Sequence, residues 1–254
     1  MRVRKAFLQL DYLIEPARAP EADLVDACWQ LTNPAPTPQA FTVLADGCCK
    51  LLLRQQPGRA PELIFSGVWT RAFDLLLPAE TTILGIRFKL PAVAFLGAGQ
   101  LPLNAVRPLP VAEGLGPALT AARDLADLAQ RVGAWAAPRR LAPPLHALFA
   151  ALYGSQGTLP VSQLAAAAGW SPRTVNRYFH TQFGLPLKTY ADILRSYAAT
   201  QQLRPGDLYA PGPYCDQSHG IRDVKKHTGA TPRQLDQHRH DRFIQLSPPL
   251  PADL

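Results

Sequence analysis

Residues 158–190 read TLPVSQLAAAAGWSPRTVNRYFHTQFGLPLKTY, and this stretch decides the fold of the second half of the chain. Apolar residues recur at helical spacing up to Gly169, which is typical of a helix that ends in a glycine cap. Ser171 then occupies the position of an N-cap, with Pro172 at the first helical position. We predict a helix, a tight turn and a second helix that ends at Gly184.

The second helix of this unit is predicted to have two chemically different faces. Its apolar side consists of Val175, Tyr178, Phe179 and Phe183. The opposite side is made of polar and basic residues: Arg173, Thr174, Asn176, Arg177 and His180. Arginine pairs bidentately with guanine and asparagine with adenine in the major groove. The pattern therefore favours a DNA-reading helix-turn-helix, while a small helical bundle with a solvated basic face stays the alternative.

Longer motifs around this unit resemble a known family of transcription regulators. LAAAAGWSPRTVNRYF at 164–179 and FGLPLKTY at 183–190 resemble the first helix-turn-helix of the AraC/XylS family. YCDQSH at 214–219 and KKHTGATPRQ at 225–234 resemble that family's second reading helix and closing signature. The resemblance covers roughly residues 140–240. It implies a DNA-binding domain at 141–254, a first helix-turn-helix at 158–184, a linker helix at 187–203 and a second helix-turn-helix at 207–228.

The second of these units departs from the family pattern. Residues 207–214 contain two prolines and are too short for the apolar helix that should precede the turn. Gly220 and Val224 stand where the family has large apolar residues, so we expect a loosely held, degraded reading helix that attracts phosphates more than it reads bases. The residues that match the family's DNA contacts are Gln217, Ser218, Arg222, Lys225 and Lys226.

The distribution of charge agrees with this arrangement. The chain has 254 residues and a net charge of +7, with a balance of 13 Lys and Arg against 12 Asp and Glu in residues 1–137. Residues 138–254 carry 13 basic against 7 acidic residues. The basic excess lies in the half with the reading helices, as expected for a protein that binds phosphates.

The first half is predicted to be rich in β-strands. Runs at 41–45, 48–53, 63–69, 73–77 and 81–88 are separated by turn residues, and residues 1–40 look irregular apart from a strand or short helix at 23–31. Asp46–Gly47 between two such runs predicts a β-hairpin. We therefore predict a multi-domain α+β chain, with a small cupin-like barrel or sandwich at 1–112. ADGCCKL at 45–51 and GIRF at 85–88 resemble the sensor module of some AraC-type regulators, although Ala45 replaces the usual proline.

A helix is predicted between the two halves, within a linker at 113–140. Residues 117–132 favour a helix, and Leu125, Leu128, Val132 and Trp135 form an apolar stripe along it. The stripe could pack on its own barrel, or on its twin in a homodimer formed through residues 118–135.

Several classes of function are disfavoured by the composition. Residues 1–137 contain no histidine, so we expect no metal, no cofactor and no catalytic set there. The four cysteines are interpreted as reduced thiols of a cytoplasmic protein, with redox sensing by Cys48 or Cys49 as the alternative. Neither a signal peptide nor an apolar run of membrane-spanning length is present, so no membrane is expected as a partner.

A small-molecule effector is expected to bind the β-rich module. Its candidate pocket residues are Trp29, Trp69, Arg87 and Phe88. In the alternative interpretation the three aromatic residues belong to the core and the arginine pairs with a carboxylate.

These features predict a one-component transcription regulator that associates with the nucleoid, and not an enzyme. The resemblance implies double-stranded DNA as the partner and RNA polymerase as a further one. The runner-up is a family member that has lost operator binding and acts as a protein–protein interaction module.

Overall fold

A computed structural model describes residues 3–7, 9–18, 21–97, 101–112, 114–203, 214, 216–238 and 241–246. Within these residues the strands are β1 Val3–Phe7, β2 Leu10–Pro16, β3 Val25–Asn33, β4 Gln39–Val43, β5 Cys49–Gln55, β6 Glu62–Ser66, β7 Phe73–Leu77, β8 Thr81–Phe88 and β9 Val106–Leu109. The helices are α1 Val93–Leu96, α2 Gly116–Thr120, α3 Leu125–Ala136, α4 Pro143–Gly154, α5 Val161–Ala167, α6 Pro172–Phe183, α7 Leu187–Gln202, α8 Gln217–Thr228 and α9 Pro232–Gln237. The expected fold class, β-rich first and helical second, is confirmed. We name residues 3–109 the β-rich region and residues 116–246 the helical region.

The β-rich region is built from two antiparallel sheets. The larger has the strand order β1-β2-β3-β8-β5-β6-β9, and the smaller pairs β4 with β7. Strands β7 and β8 coincide with the runs expected from the sequence. The first forty residues were expected to be largely irregular, and this is wrong for the described part, because β2 alternates buried Leu10, Tyr12 and Ile14 with half-buried residues.

Asp46 and Gly47 do not form the predicted hairpin. Strand β4 pairs with β7, whereas β5 pairs with β6 and β8. The dipeptide still makes a turn, since Asp46 Oδ1 accepts hydrogen bonds from the Cys48 backbone N–H at 3.0 Å and from Lys50 Nζ at 2.8 Å. Gly47 has a φ of +72°, in the left-handed region that favours glycine. The turn therefore carries the chain from the smaller sheet into the larger one.

The predicted linker helix is divided into α2 and α3. The break occurs because Asp124 caps α3, its side chain accepting a hydrogen bond from the Asp127 N–H at 2.9 Å. The stripe residues Leu125, Leu128 and Val132 are buried, and α3 packs on β2 and β3. The stripe thus covers its own sheet, as in the first of the two alternatives, and is not free to pair with a second copy.

The two regions share one apolar core. A single cluster of buried side chains includes Phe65 and Ile86 from the β-rich region and Phe149 and Phe179 from the helical region. A chain of hydrogen bonds runs through the same place. We name it the tyrosine chain: the Leu90 N–H donates to the Tyr153 hydroxyl at 2.9 Å, the Tyr153 and Tyr190 hydroxyls are 2.7 Å apart, and the Tyr190 hydroxyl donates to the Gly47 carbonyl at 2.8 Å. Burial raises the pKa of both phenols, so both remain neutral hydrogen-bonding groups.

The end of the helical region forms a second contact with the smaller sheet. The Thr42 N–H donates to the Arg242 carbonyl at 2.7 Å. Leu44 exchanges two hydrogen bonds with the Gln245 side chain, at 3.1 and 3.0 Å. The two regions are therefore joined by backbone pairing as well as by packing.

We expect Leu128→Ala to destabilise the protein by about 2–5 kcal/mol, because it leaves a cavity between α3 and the sheet. Chemical denaturation would measure the loss, with the exposed Gln130→Ala on the same helix as the control. A dissociation of dimers by Leu128→Ala, without loss of stability, would show instead that the stripe is an intermolecular seam.

We expect Tyr190→Phe to destabilise the fold by about 1–3 kcal/mol, because it leaves the buried Gly47 carbonyl without its donor. Tyr178→Phe is the matched control, since Tyr178 lies in the same aromatic cluster and outside the tyrosine chain. Equal stability of the two variants in urea would contradict the role given to the chain.

Candidate DNA-binding surface

Helix α6 starts and ends where its sequence requires. The Ser171 side chain accepts a hydrogen bond from the Thr174 N–H at 3.2 Å, and Gly184 ends the helix with a φ of +72°. Helix α5 precedes it, and Gly169 turns the chain between them with a φ of +67°. The helix, turn and helix predicted for residues 158–184 are present.

The apolar side of α6 is fixed in the shared core. Val175, Phe179 and Phe183 are buried. The Phe179 ring centre lies 5.9 Å from that of Phe149 and 6.0 Å from that of Tyr190. This packing holds the helix against rotation, so its outer side chains start from defined positions.

The outer side of α6 carries the predicted readers. Arg173, Arg177 and His180 are exposed, whereas Thr174 and Asn176 are half-buried. The Thr174 hydroxyl lies 2.9 Å from the Ser171 hydroxyl, so it is engaged in the cap. The helix contains no Asp or Glu, and its outer face is therefore basic.

Helix α8 presents the second set of candidate residues. Gln217, Ser218, Arg222, Lys225 and Lys226 are all exposed. The two lysines lie in the last turn, where positive charge also complements the helix dipole. Their position is thus explained by helix stability as well as by phosphate binding.

A buried network holds α8 firmly, which the sequence did not predict. Asp223 Oδ2 accepts hydrogen bonds from the Tyr214 hydroxyl at 2.7 Å and from Arg195 Nη2 of α7 at 3.2 Å. Burial raises the pKa of the Asp223 carboxyl, but the His227 ring, the Tyr214 hydroxyl and the Arg195 charge outweigh it and lower that pKa below its usual range. Asp223 is therefore a charged group that ties three segments together.

The two residues expected to weaken α8 have other roles in the structure. A Cβ at Gly220 would lie 3.1 Å from the Tyr214 ring, so the glycine makes room for that ring. Val224 is buried beside Leu44 and Leu235. The expectation of a loosely held α8 is wrong for the described residues, while the shortened segment at 207–213 lies outside them.

Helix α8 also contacts the β-rich region directly. The His227 carbonyl accepts a hydrogen bond from the Ala72 N–H at 2.6 Å. The Nδ1 atom of the His227 ring lies 2.8 Å from the Thr70 carbonyl oxygen. The ring therefore donates from Nδ1, because a carbonyl oxygen can only accept. Sequence patterns could not reveal this contact, because His227 and Thr70 are 157 positions apart.

The closing signature forms a helix start. Thr231 and Gln234 make a capping box, in which Thr231 Oγ1 accepts from the Gln234 N–H at 3.3 Å and Gln234 Oε1 from the Thr231 N–H at 2.9 Å. Pro232 occupies the first position of α9. The last part of the signature, from Thr231 onward, thus shapes the chain after α8.

The structure does not bring together the four candidate effector residues. Phe88 is in the core with Trp135, whereas Trp29 packs across Gly85 on the opposite face of the sheet. Trp69 stacks on Phe73 with ring centres 3.8 Å apart. Of the four, Arg87, which forms an ion pair with Asp26, lines a cleft at the junction of the two regions.

The cysteines that the structure describes are in environments that make their thiols poorly reactive. Cys28, Cys48 and Cys49 are free and buried. Burial raises the pKa of the Cys28 and Cys49 thiols to about 12 and that of Cys48 well above its usual value. At neutral pH these thiols carry little of the reactive thiolate, which weakens the redox-sensing alternative.

Two further features concern membranes and metals. None of the helices in the described ranges has both the length and the apolar character needed to cross a bilayer. No group of three or more His, Cys, Asp or Glu side chains suited to a metal ion occurs among the described residues.

The chain is similar to one family model and to solved structures. A family model described as a domain of unknown function (DUF6597) matches residues 16–103, within the β-rich region and less than half of the chain. No curated protein sequence matches the chain significantly. Among solved structures, the chain is similar to the apo form of a ToxT variant from Vibrio cholerae strain SCE256, with a TM-score of 0.39 and 8% identity, over 92% of this chain and 99% of that one. A similarity at this level identifies no function, so function has to be inferred from the chemistry of the surface.

We expect Asp223→Asn to lower the free energy of unfolding at pH 7 by about 1–3 kcal/mol, because the half-buried Tyr214 and Arg195 lose a charged acceptor. Since the folded-state pKa of Asp223 is depressed, its contribution is present above the pKa of an unfolded aspartate, about 3.9, and is lost as pH falls through the folded-state value. The difference in unfolding free energy between the wild type and Asp223→Asn should therefore narrow below about pH 4.

Denaturation at several pH values would test this, with Glu62→Gln as the control for an exposed ion pair. A difference that stays constant from pH 7 to pH 2 would rule out the charged state as the source of the stabilisation.

Proposed function

We propose that the chain is a sequence-specific DNA-binding transcription regulator of the AraC type. The observation that carries the proposal is the build of α6, with a capped start, a buried apolar side and an exposed face that lacks acidic residues. A rigid amphipathic helix of this kind can enter the major groove without first becoming ordered.

Each side chain on that face has a distinct task. Arg173 and Arg177 are the exposed donors suited to guanine edges, and Asn176 suits adenine. His180, which is exposed, is assigned to the sugar–phosphate backbone, as is Thr174, whose hydroxyl also takes part in the helix cap. The unit thus combines base reading with positioning contacts.

Helix α8 contributes a second set of contacts. Its bracing by Asp223 and by the β-rich region keeps Gln217, Ser218 and Arg222 in register, so these residues are assigned to base reading. Lys225 and Lys226 are assigned to phosphates. This revises the expectation of weak base reading, which rested on a loosely held helix.

The regulator acts on double-stranded DNA in the cytoplasm, with RNA polymerase as a further partner and a small molecule as its effector. The alternative is a protein–protein interaction module without operator binding. The two proposals differ in one measurable respect, since only the first gives a DNA affinity that depends on sequence.

We expect Arg177→Ala to cost about 1–3 kcal/mol on the preferred duplex and to relax preference at one base pair. The preferred duplex would come from selection out of a random library, and binding would be measured by fluorescence anisotropy. Arg59→Ala removes an exposed arginine of the β-rich region and is the matched control. Equal losses on preferred and random DNA would make Arg177 a phosphate contact.

We expect different results from two changes on α8. Gln217→Ala should relax preference at one base pair, because α8 is held rigidly. Lys225→Ala combined with Lys226→Ala should weaken binding to all sequences and reduce the logarithmic salt slope by about 0.9 for each phosphate that is no longer neutralised. If Gln217→Ala leaves the sequence preference unchanged, the second unit is not a reader. If the wild type shows no DNA binding that depends on salt and on sequence, the protein–protein interaction module is favoured.

A further inference from the structure

A cleft of about 290 Å³ lies at the junction of the two regions. Asp46, Arg87 and Lys89 line it from the β-rich region, and Tyr153 of α4 with Leu194 and Tyr197 of α7 line it from the helical region. Its volume is near the lower end of the range for small-molecule sites. A ligand bound there would touch both regions at once.

One carboxylate oxygen at this cleft lacks a donor. The Asp46 side chain is only 3% exposed, and its Oδ1 accepts both described hydrogen bonds, from Cys48 and from Lys50. Its Oδ2 is buried and has no hydrogen-bond partner among the described residues. Leaving such an atom unsatisfied is costly, which indicates a site completed by a donor from outside the chain.

The guanidinium of Arg87 faces the same oxygen. Arg87 forms an ion pair with Asp26 through Nη2, while its Nη1 lies 3.9 Å from Asp46 Oδ2, too far for a direct hydrogen bond. A hydroxyl group can donate to the carboxylate and accept from the guanidinium at the same time. An ammonium group cannot do both, since it has no acceptor. The pair therefore favours a group that both donates and accepts, such as a hydroxyl.

The charge of the cleft determines the rest of the ligand. Asp26 is paired with Arg87, and Asp46 with Lys50. Lys89 forms no ion pair with any described carboxylate, and its Nζ lies 5.0 Å from the Tyr153 ring centre. One positive charge is thus left over at the wall of the cleft, and it favours an anionic group on the ligand. Tyr153, Tyr197 and Leu194 add apolar surface to the lining of the cleft.

We propose that this cleft binds a small hydroxylated carboxylic acid, with a hydroxyl between Asp46 and Arg87 and the carboxylate at Lys89. Its role as the effector rests on the proposed function, but the binding itself does not. The cleft also differs from the pocket expected inside the β-rich region, since half of its lining comes from α4 and α7.

Isothermal titration of the full-length protein without DNA tests the proposal with three probes. Quinate carries a carboxylate and hydroxyls on one ring, cyclohexanecarboxylate lacks the hydroxyls, and myo-inositol lacks the carboxylate. We expect quinate to bind at least about tenfold more tightly than either of the others, as the loss of one hydrogen bond to a charged group implies. Binding of all three with equal affinity, or of none, would overturn the proposal.

Variants locate the site. Lys89→Gln and Asp46→Asn should each weaken quinate binding by about tenfold or more, whereas Arg59→Gln removes an exposed charge elsewhere and should leave it unchanged. Because Asp46 also supports its own turn, Lys89→Gln provides the decisive result if Asp46→Asn fails to fold. Unchanged quinate affinity in Lys89→Gln would show that the acid binds elsewhere.

The DNA measurements are kept separate. Titration with DNA in the presence and absence of saturating quinate then shows whether the site is regulatory. If the protein binds its operator but does not bind quinate, only the cleft proposal is overturned. Quinate binding without any operator binding overturns only the proposed function.

Discussion

The hydrogen bond from the Tyr190 hydroxyl to the Gly47 carbonyl is the contact on which the arrangement of the two regions depends. Three conditions meet there. Position 47 must be glycine, both because its φ is +72° and because a Cβ would lie 2.8 Å from Leu194. Tyr190 must be fully buried to reach the carbonyl. Tyr153 must then satisfy the remaining capacity of the Tyr190 hydroxyl and reach the Leu90 N–H. A buried chain of this kind stabilises a structure only when every member is paired.

The same side chains connect this junction to the candidate DNA-binding surface. Tyr190 packs against Phe179, which lies on the buried side of α6, and Tyr153 lines the cleft between the regions. Helix α7 adds Arg195, whose ion pair with Asp223 braces α8. Both candidate reading helices are thus supported by α7, and α7 is supported by the β-rich region. A physical route therefore exists between the cleft and each helix that is proposed to contact DNA.

The parts of the fold that depend on local chemistry could be predicted from the sequence. Ser171 and Pro172 start α6, and Gly184 ends it, because caps act over a few residues. Strands β7 and β8 follow from runs of apolar and β-branched residues. The basic face of α6 follows from the same periodicity, since spacing alone decides which side chains share a face.

The parts that depend on distant contacts could not be predicted. Asp46–Gly47 has the residues of a hairpin turn, but the partners of β4 and β5 are chosen by packing elsewhere in the sheets. The apolar stripe of α3 looks the same whether it covers a sheet or a second copy. The support of α8 comes from Tyr214, Arg195 and Ala72, and the cleft joins residues about 150 positions apart, such as Asp46 and Leu194.

The shared apolar core has a consequence for how such a chain can evolve. Two regions joined by a flexible linker can be exchanged between proteins, because each keeps its own interior. Here an exchange would leave the buried Leu90 N–H and Gly47 carbonyl without the Tyr153 and Tyr190 hydroxyls that pair with them. Substitutions on one side of the junction must therefore be matched on the other, so we expect the two regions to be inherited as one unit and to vary together across relatives.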